Sequence, residues 1–237
     1  MKTASSHGAR GRAAIHVHLW TDAAAQTRPE QPIRAAARYR ALATTPGVRA
    51  GGVTVASDIT GRPRLVGPDA GEIDLSSSST AGCLVVAVSM GRRIGIDVER
   101  VRAEHVDDDL AREALSAEEF VEFRGVADPV GFFYECWTMK EAVLKASGDG
   151  LACHPRLVRV MTEARDDGWR SVETADHRRW MVRRVEGVRG AAMAIASEED
   201  SASPEIVLKF HASSFPPAAT GVVESDVRTE LPTRPSR

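Results

Sequence analysis

Two carboxylates lie two residues apart within a short apolar stretch. Residues 94–99 read Ile-Gly-Ile-Asp-Val-Glu. Successive side chains of a β-strand point to opposite faces, so Asp97 and Glu99 share one face, about 7 Å apart. Like charges at this spacing repel each other unless a cation or water screens them. The pair is typical of a Mg²⁺ site, because this ion binds a few carboxylates together with substrate phosphates. A solvated polar strand face is the alternative.

A third carboxylate falls on the apolar face of a predicted helix. At 3.6 residues per turn, Glu141 lies on one stripe with Lys145 one turn further on. The same stripe carries Val130, Tyr134 and Trp137. Ionised groups on an apolar face are costly unless they are paired, hydrated or bound to a metal. The alternative is an exposed Glu–Lys pair, which contributes only about 0.3–0.5 kcal/mol.

Lysine is rare in this chain. Of the 31 basic residues only four are lysines, Lys2, Lys140, Lys145 and Lys209. Two of them lie within six residues and flank Glu141. A compact ammonium suits phosphate as a point charge, whereas arginine offers a planar fork. Lys140 and Lys145 are therefore candidates for binding phosphate, with chance clustering as the alternative.

Composition and missing motifs narrow the function classes. The sequence contains no Gly-x-x-x-x-Gly-Lys phosphate loop and no Gly-x-Ser-x-Gly elbow. The net charge of −2 predicts no nucleic-acid binding. No apolar run of about 18 residues and no export signal are present, so we expect neither a membrane span nor secretion. The three cysteines lack a paired spacing, which fits a cytoplasmic protein.

Hydrophobic patterning predicts an α+β chain. Strands are expected at 14–20, 51–56, 83–89, 93–101, 157–162, 180–185, 191–196 and 206–210, helices at 31–44, from Ser116 and from Asp128 to Gly148, and loops at 61–65 and 76–80. The strands at 83–89 and 93–101 are predicted to form a β-hairpin. The order strand, helix, strands occurs twice, which indicates two similar lobes. The Pro-rich segment 212–237 is predicted to be a disordered tail.

Two of these motifs together resemble a known family. Residues 94–99, followed by Trp-Thr-Met-Lys-Glu-Ala-Val-Leu-Lys at 137–145 and Gly-Asp-Gly-Leu at 148–151, closely resemble the paired signatures of the 4'-phosphopantetheinyl transferase superfamily. The similarity covers roughly residues 30 to 210. The chain length resembles the monomeric, two-lobed type that activates polyketide and nonribosomal peptide synthetases.

The resemblance implies a fold and a reaction. The expected fold is two α+β lobes in a pseudo-two-fold arrangement, an N-terminal lobe at 1–100 and a C-terminal lobe at 101–211, with coenzyme A between them. The implied reaction transfers 4'-phosphopantetheine from coenzyme A to a serine of an apo acyl or peptidyl carrier protein. It releases 3',5'-ADP and depends on Mg²⁺. Carrier proteins are typically acidic, so we expect them to dock on an arginine-bearing surface.

The resemblance also assigns roles to particular acidic and basic residues. It implies that Asp97, Glu99 and Glu141 are the Mg²⁺ ligands, and that Glu141 is also a candidate for the base that takes the serine proton. It implies that Lys145 and Lys140 bind the pyrophosphate of coenzyme A.

Two further elements depart from the family pattern. Arg62 and Pro63 resemble the Gly-Lys-Pro element beside the adenine, with arginine in place of lysine. Ser79 and Thr80 stand where the family often has Ser-His, and their hydroxyls are expected to donate to phosphate. Because of Thr80, a non-catalytic module that binds coenzyme A or a carrier protein is one alternative. A nucleotide-dependent enzyme such as a kinase is another.

Overall fold

The structure is a computed structural model that describes residues 14–57, 62–148, 150, 153–161, 163–211, 214–218 and 225–226. The strands are β1 (Ala14–Thr21), β2 (Thr54–Ser57), β3 (Pro63–Val66), β4 (Ile73–Thr80), β5 (Cys83–Met90), β6 (Ile94–Arg100), β7 (Arg170–Glu173), β8 (Arg179–Arg184), β9 (Ala191–Glu198), β10 (Glu205–His211) and β11 (Ser225–Asp226). The α-helices are α1 (Gln31–Thr44), α2 (Asp108–Ala114), α3 (Ala117–Gly125) and α4 (Pro129–Ser147). Among these residues no helix is long and apolar enough to cross a membrane.

Two four-stranded sheets define two similar α+β lobes, as predicted. One sheet has the order β10-β1-β5-β4 and the other β6-β9-β8-β7. In each lobe a first strand leads into a helix, and the first strand then pairs antiparallel with a later strand, β1 with β5 and β6 with β9. Helix α1 packs on the first sheet and helix α4 on the second. A shared core of β1, β5, β6, β8 and β9 side chains lies between the sheets.

Local signals place the helices accurately. Ser116 and Glu119 form the capping box at the start of α3. The Asp128 side chain accepts from the Gly131 N–H at the start of α4, and Pro129 occupies its first position. Gly148 ends this helix with a positive φ of 82°, a conformation that glycine adopts without strain. The predicted helices at 31–44 and from Asp128 to Gly148 are confirmed.

The predicted β-hairpin is wrong. Both edges of β5 are already paired, with β1 and with β4, and β6 pairs with β9. Strand β6 lies beside β4, but side chains of β4 replace the usual backbone ladder. Asp74 accepts from the Ile94 N–H at 2.8 Å, and Ser76 Oγ accepts from the Ile96 N–H at 3.0 Å. Residues 76–80, predicted as a loop, are therefore part of a strand, and β3 occupies most of the loop predicted at 61–65.

The strand predicted at 157–162 is also wrong. The chain forms a short 3₁₀ helix at Pro155–Leu157 and then continues without regular structure, while Thr162 lies outside the described residues. Val158 and Val160 are buried, which explains their strand-like pattern. Their backbone groups bond to side chains instead of a neighbouring strand. The Val158 carbonyl accepts from Lys140, and the Val160 N–H donates to Glu119.

Sheet pairing does not follow the predicted lobe boundaries. Strand β6 belongs to the second sheet although it precedes residue 101, and β10 returns to the first sheet. Within the segment predicted to be a disordered tail, Phe215 packs against the core of the first lobe and β11 pairs with β2. The remainder of 212–237 lies outside the described residues.

Candidate functional site

The candidate site lies where β4 and β6 meet. Side chains of alternate β4 residues face β6, and two of them hold its backbone, as described above. This alternation leaves Ser78 opposite Asp97, and Ser78 Oγ donates to Asp97 Oδ1 at 2.7 Å. Ser78 of β4 thus helps to orient Asp97, the first carboxylate of the site.

Gly95 lets helix α4 approach this strand. A Cβ added at Gly95 would lie 2.0 Å from the Ala142 carbonyl oxygen and 2.6 Å from the Ala146 nitrogen. Only glycine permits such an approach of backbone to backbone. The close contact brings Glu141 and Lys145, which neighbour those two positions on the helix, to the face of β6 that carries Asp97.

Asp97 is the centre of the cluster. Its side chain is 3% exposed, and its Oδ1 accepts from Lys145 Nζ at 2.6 Å as well as from Ser78. Lys145 Nζ also donates to the Ile96 carbonyl at 3.2 Å. The second oxygen, Oδ2, is buried and has no hydrogen-bond partner among the described residues. A buried, unsatisfied carboxylate oxygen is costly, so its presence points to a ligand.

The other two carboxylates interact with Asp97. Burial, then the charge of Asp97, raises the pKa of Glu99, although Arg28 and Lys145 act in the opposite direction. Burial, then the charge of Asp97, also raises the pKa of Glu141, with Lys145 opposing and Glu99 adding to the rise. Three acidic groups therefore repel one another in one region, and the available cations do not fully compensate.

The predicted metal site has carboxylates of the kind that Mg²⁺ binds, but these side chains are not arranged around one common position. In the described part of the chain, no group of three His, Cys, Asp or Glu side chains is placed to hold a metal ion. Asp97 Oδ2 has no partner among the described residues, and the pKa values of Glu99 and Glu141 are raised. A bound hard cation would stabilise all three carboxylates in their ionised form. The assignment of these three residues as Mg²⁺ ligands stays a prediction.

Lys140 is not part of the site, contrary to prediction. Its side chain is 0% exposed and its Nζ lies 2.6 Å from Glu119 Oε2. It also donates to the carbonyls of Pro155 and Val158. Five residues separate Lys140 from Lys145, which turns the two side chains about 140° apart on a helix. The helical period alone could have separated them.

Glu119 is a structural residue that the sequence reasoning placed only in a capping box. Burial favours its neutral form, but the Lys140 ammonium and backbone N–H groups of Ser116 and Val160 outweigh burial and lower its pKa. The carboxylate therefore stays ionised and joins α3 and α4 to the segment after α4.

Ser79 and Thr80 point to opposite faces of β4. Thr80 Oγ1 accepts from the Arg100 N–H at 3.3 Å, on the side of β6. Ser79 is buried on the other face, which also carries Leu75. The two hydroxyls therefore lie on different sides of the strand, and their expected contact with phosphate stays a prediction.

Arg62 connects the lobes. Its guanidinium donates to Asp74 at 2.9 Å, to the Ile94 carbonyl at 3.2 Å, and to the last-turn carbonyls of Lys145 and Ala146 in α4. A cation here also offsets the negative end of the helix dipole. Pro63 is buried at the start of β3, and Gly61 lies outside the described residues. The predicted position of Arg62 and Pro63 beside an adenine stays untested.

Sequence reasoning missed two residues of the site. Ser78 lies in a run of four serines at residues 76–79, where polar and apolar positions do not alternate, so no strand pattern was visible there. Arg28, whose Nη2 lies 2.9 Å from Glu99 Oε1, comes from the loop between β1 and α1 and carried no signal. Two open grooves of about 560 and 540 Å³ lie elsewhere on the described surface and are not lined by the three carboxylates.

The family comparison agrees with this geometry. Residues 93–196, which include Asp97, Glu99, Glu141 and Lys145, match the model of the 4'-phosphopantetheinyl transferase superfamily.

Two curated relatives were found. Over 110 residues the chain is 34% identical to the 4'-phosphopantetheinyl transferase HetI of Nostoc sp. PCC 7120, covering 45% of this chain and 46% of that protein. Over 138 residues it is 27% identical to a 4'-phosphopantetheinyl transferase of Bacillus subtilis, covering 57% and 58%. The chain thus spans about half the length of the curated relatives it matches.

Solved structures resemble the chain only distantly. A holo-(acyl-carrier-protein) synthase from Bacillus anthracis, solved in complex with CoA, is 23% identical and covers 46% of this chain and 96% of that chain, with a TM-score of 0.39. The corresponding synthase from Neisseria meningitidis is 19% identical, covers 45% and 97%, and has a TM-score of 0.39. Likeness at this level supports no conclusion about the site.

Proposed function

We propose that this protein transfers the 4'-phosphopantetheine group of coenzyme A to a serine hydroxyl of an apo acyl or peptidyl carrier protein. The observation that carries the proposal is the state of Asp97, whose one oxygen is held by Lys145 and Ser78 while the other is buried without a partner. Two further carboxylates with raised pKa values lie around it. The match of residues 93–196 to the superfamily model supports this class of reaction.

The residues have distinct tasks in the proposed reaction. The serine Oγ attacks the β-phosphorus of coenzyme A and forms a new P–O bond. The bond from that phosphorus to the bridging oxygen breaks, and its electron pair leaves with 3',5'-ADP. Glu141 takes the serine proton as the general base. Lys145 places an ammonium beside the negative charge of the diphosphate.

A divalent cation completes the proposal. Asp97, Glu99 and Glu141 would hold Mg²⁺, which when bound would neutralise charge on the diphosphate. The partners proposed are coenzyme A and carrier domains of polyketide or nonribosomal peptide synthetases. A monomeric state and a cytoplasmic location stay predictions.

Mass spectrometry of the carrier tests the proposal. The protein is incubated with coenzyme A, Mg²⁺ and an apo carrier protein, and transfer adds about 340 Da to the carrier. Replacing the base in Glu141→Gln should reduce the rate by about 10²–10⁴-fold. Glu122→Gln, an exposed carboxylate on α3, is the control and should react like the original protein. Coenzyme A binding without any mass gain on several carriers would instead identify a non-catalytic binding module.

A further inference from the structure

Glu99 is held by an arginine from outside the strands and helices. Arg28 lies in the loop at residues 22–30, between β1 and α1. Its Nη2 is 2.9 Å from Glu99 Oε1 and 3.3 Å from Glu99 Oε2. Within the described chain, Glu99 is the carboxylate with which Arg28 pairs. One guanidinium nitrogen thus contacts both oxygens of a predicted metal ligand.

The Arg28–Glu99 ion pair is more exposed to water than the neighbouring Lys145–Asp97 pair. The Arg28 side chain is 60% exposed and Glu99 is 23% exposed, whereas in the Lys145–Asp97 pair the exposures are 31% and 3%. An ion pair with one partner in solvent contributes only about 0–1 kcal/mol, because water screens it. A loop residue can also change its rotamer without disturbing a helix or a sheet. Arg28 can therefore be displaced at little cost.

Charge balance indicates what displaces it. Asp97, Glu99 and Glu141 carry three negative charges, and Lys145 and Arg28 supply two positive ones. A divalent cation added to this cluster would leave an excess of positive charge and would need the same Glu99 oxygens that Arg28 contacts. The diphosphate of an anionic substrate would then be the nearest counter-charge for the released guanidinium.

We propose that Arg28 is an exchangeable counter-ion of the site. It pairs with Glu99 in the absence of a divalent cation and moves to the phosphates of coenzyme A when Mg²⁺ binds. Arg28 is then a positioning residue that couples metal binding to substrate binding. The identity of the substrate rests on the proposed function, whereas the competition between Arg28 and Mg²⁺ rests on the contacts of Glu99 alone.

Opposite effects on two ligands distinguish this role from a structural one. In Arg28→Gln, Mg²⁺ no longer competes with a guanidinium, so its affinity without coenzyme A should rise about 2–5-fold. With Mg²⁺ present, the same variant should bind coenzyme A about 10-fold more weakly, because a charge-assisted hydrogen bond to phosphate is lost. A residue that merely stabilises the loop would change both affinities in the same direction.

Isothermal titration calorimetry on the whole chain tests the proposal. Mg²⁺ is titrated into the original protein, Arg28→Gln and Arg49→Gln, and coenzyme A is then titrated with Mg²⁺ at saturation. Arg49, which follows α1 in the chain, is a matched control, because it pairs with Asp69 at 2.7 Å, with exposures of 82% and 26%. Arg49→Gln should leave both affinities unchanged.

Three results would overturn the exchange. They are an unchanged Mg²⁺ affinity in Arg28→Gln, a weaker affinity for both ligands, or no Mg²⁺ binding by the original protein. The readout is independent of transfer. Opposite affinity shifts in Arg28→Gln, combined with no mass gain on any carrier, would support the exchange and reject the transferase proposal. A mass gain on a carrier without opposite affinity shifts would support the transferase proposal and reject the exchange.

Discussion

Helix α4 carries two lysine–carboxylate pairs with the same N–O distance but with different surroundings. Lys140 Nζ and Lys145 Nζ each lie 2.6 Å from a carboxylate oxygen, of Glu119 and of Asp97 respectively. The first pair is buried completely, and both partners bond to backbone groups as well. The second is partly exposed and leaves Asp97 Oδ2 without a partner among the described residues. The satisfied pair holds the fold together, and the unsatisfied pair is prepared for a ligand.

The largest expected effect separates the two lysines by stability. Lys140→Met should lower the free energy of unfolding by about 3–5 kcal/mol, because it leaves the buried Glu119 carboxylate without its cation. Lys145→Met should cost less than Lys140→Met, since that ammonium is partly exposed and water can enter beside Asp97 in its place. Denaturant unfolding at neutral pH measures both. Equal losses in the two variants would show that the contrast between the pairs is mistaken.

A double variant sharpens this result. If Lys140 and Glu119 stabilise the fold as a pair, Lys140→Met combined with Glu119→Gln should lose less stability than the two single variants added together. In the transfer assay the order should reverse, with Lys145→Met losing activity and any folded Lys140→Met protein retaining it.

Local chemistry explains which parts of the fold the sequence predicted. The bounds of α4 follow from Asp128, Pro129 and Gly148, and its capping and stop signals act within a few residues. Strand alternation placed Asp97 and Glu99 on one face of β6. These features need no information about distant contacts, whereas the meeting of Glu141 with β6 does.

Features decided by distant contacts were not predictable. Strand β4 looked like a loop, because its hydroxyls serve as hydrogen-bond partners for a strand of the other lobe. Lys140 looked like a phosphate ligand, because its burial depends on Glu119 and on carbonyls 15 and 18 residues further along the chain. The pairing of Arg28 with Glu99 spans 71 residues. In each of these cases a side chain contacts a distant part of the chain, and a sequence pattern does not show that partner.

The next largest effect concerns the contact that positions the Lys145–Asp97 pair. Gly95→Ala should lower the free energy of unfolding by about 1–3 kcal/mol, because the added methyl overlaps backbone atoms of α4. The helix would have to move away from β6, so Lys145 would separate from Asp97 and transfer should fall as well. Gly71→Ala is the control, since nothing lies within 4 Å of its added Cβ and its φ is ordinary. A Gly95→Ala protein with unchanged stability would show that α4 packs less closely than described.

The smallest expected effect is a change in stability whose sign differs between substitutions at Glu141 and at Glu119. The raised pKa of Glu141 means that its ionised form destabilises the fold above that pKa, and this penalty disappears as pH falls below the ordinary value of 4.5. Glu141→Gln should therefore stabilise the protein by about 0.5–2 kcal/mol at neutral pH, in buffer without divalent cations, while slowing transfer as stated above.

The lowered pKa of Glu119 predicts the reverse behaviour. Its ionised form stabilises the fold above the ordinary value of 4.5, and this contribution is lost as pH falls through the lowered pKa. Glu119→Gln should therefore destabilise at neutral pH, with a difference from the original protein that narrows in acid. Unfolding free energies of both variants at neutral pH and below pH 4.5 measure this contrast. A shift of stability in the same direction for both substitutions at neutral pH would show that the carboxylates around Asp97 are as well compensated as Glu119. No ligand would then be needed to stabilise them.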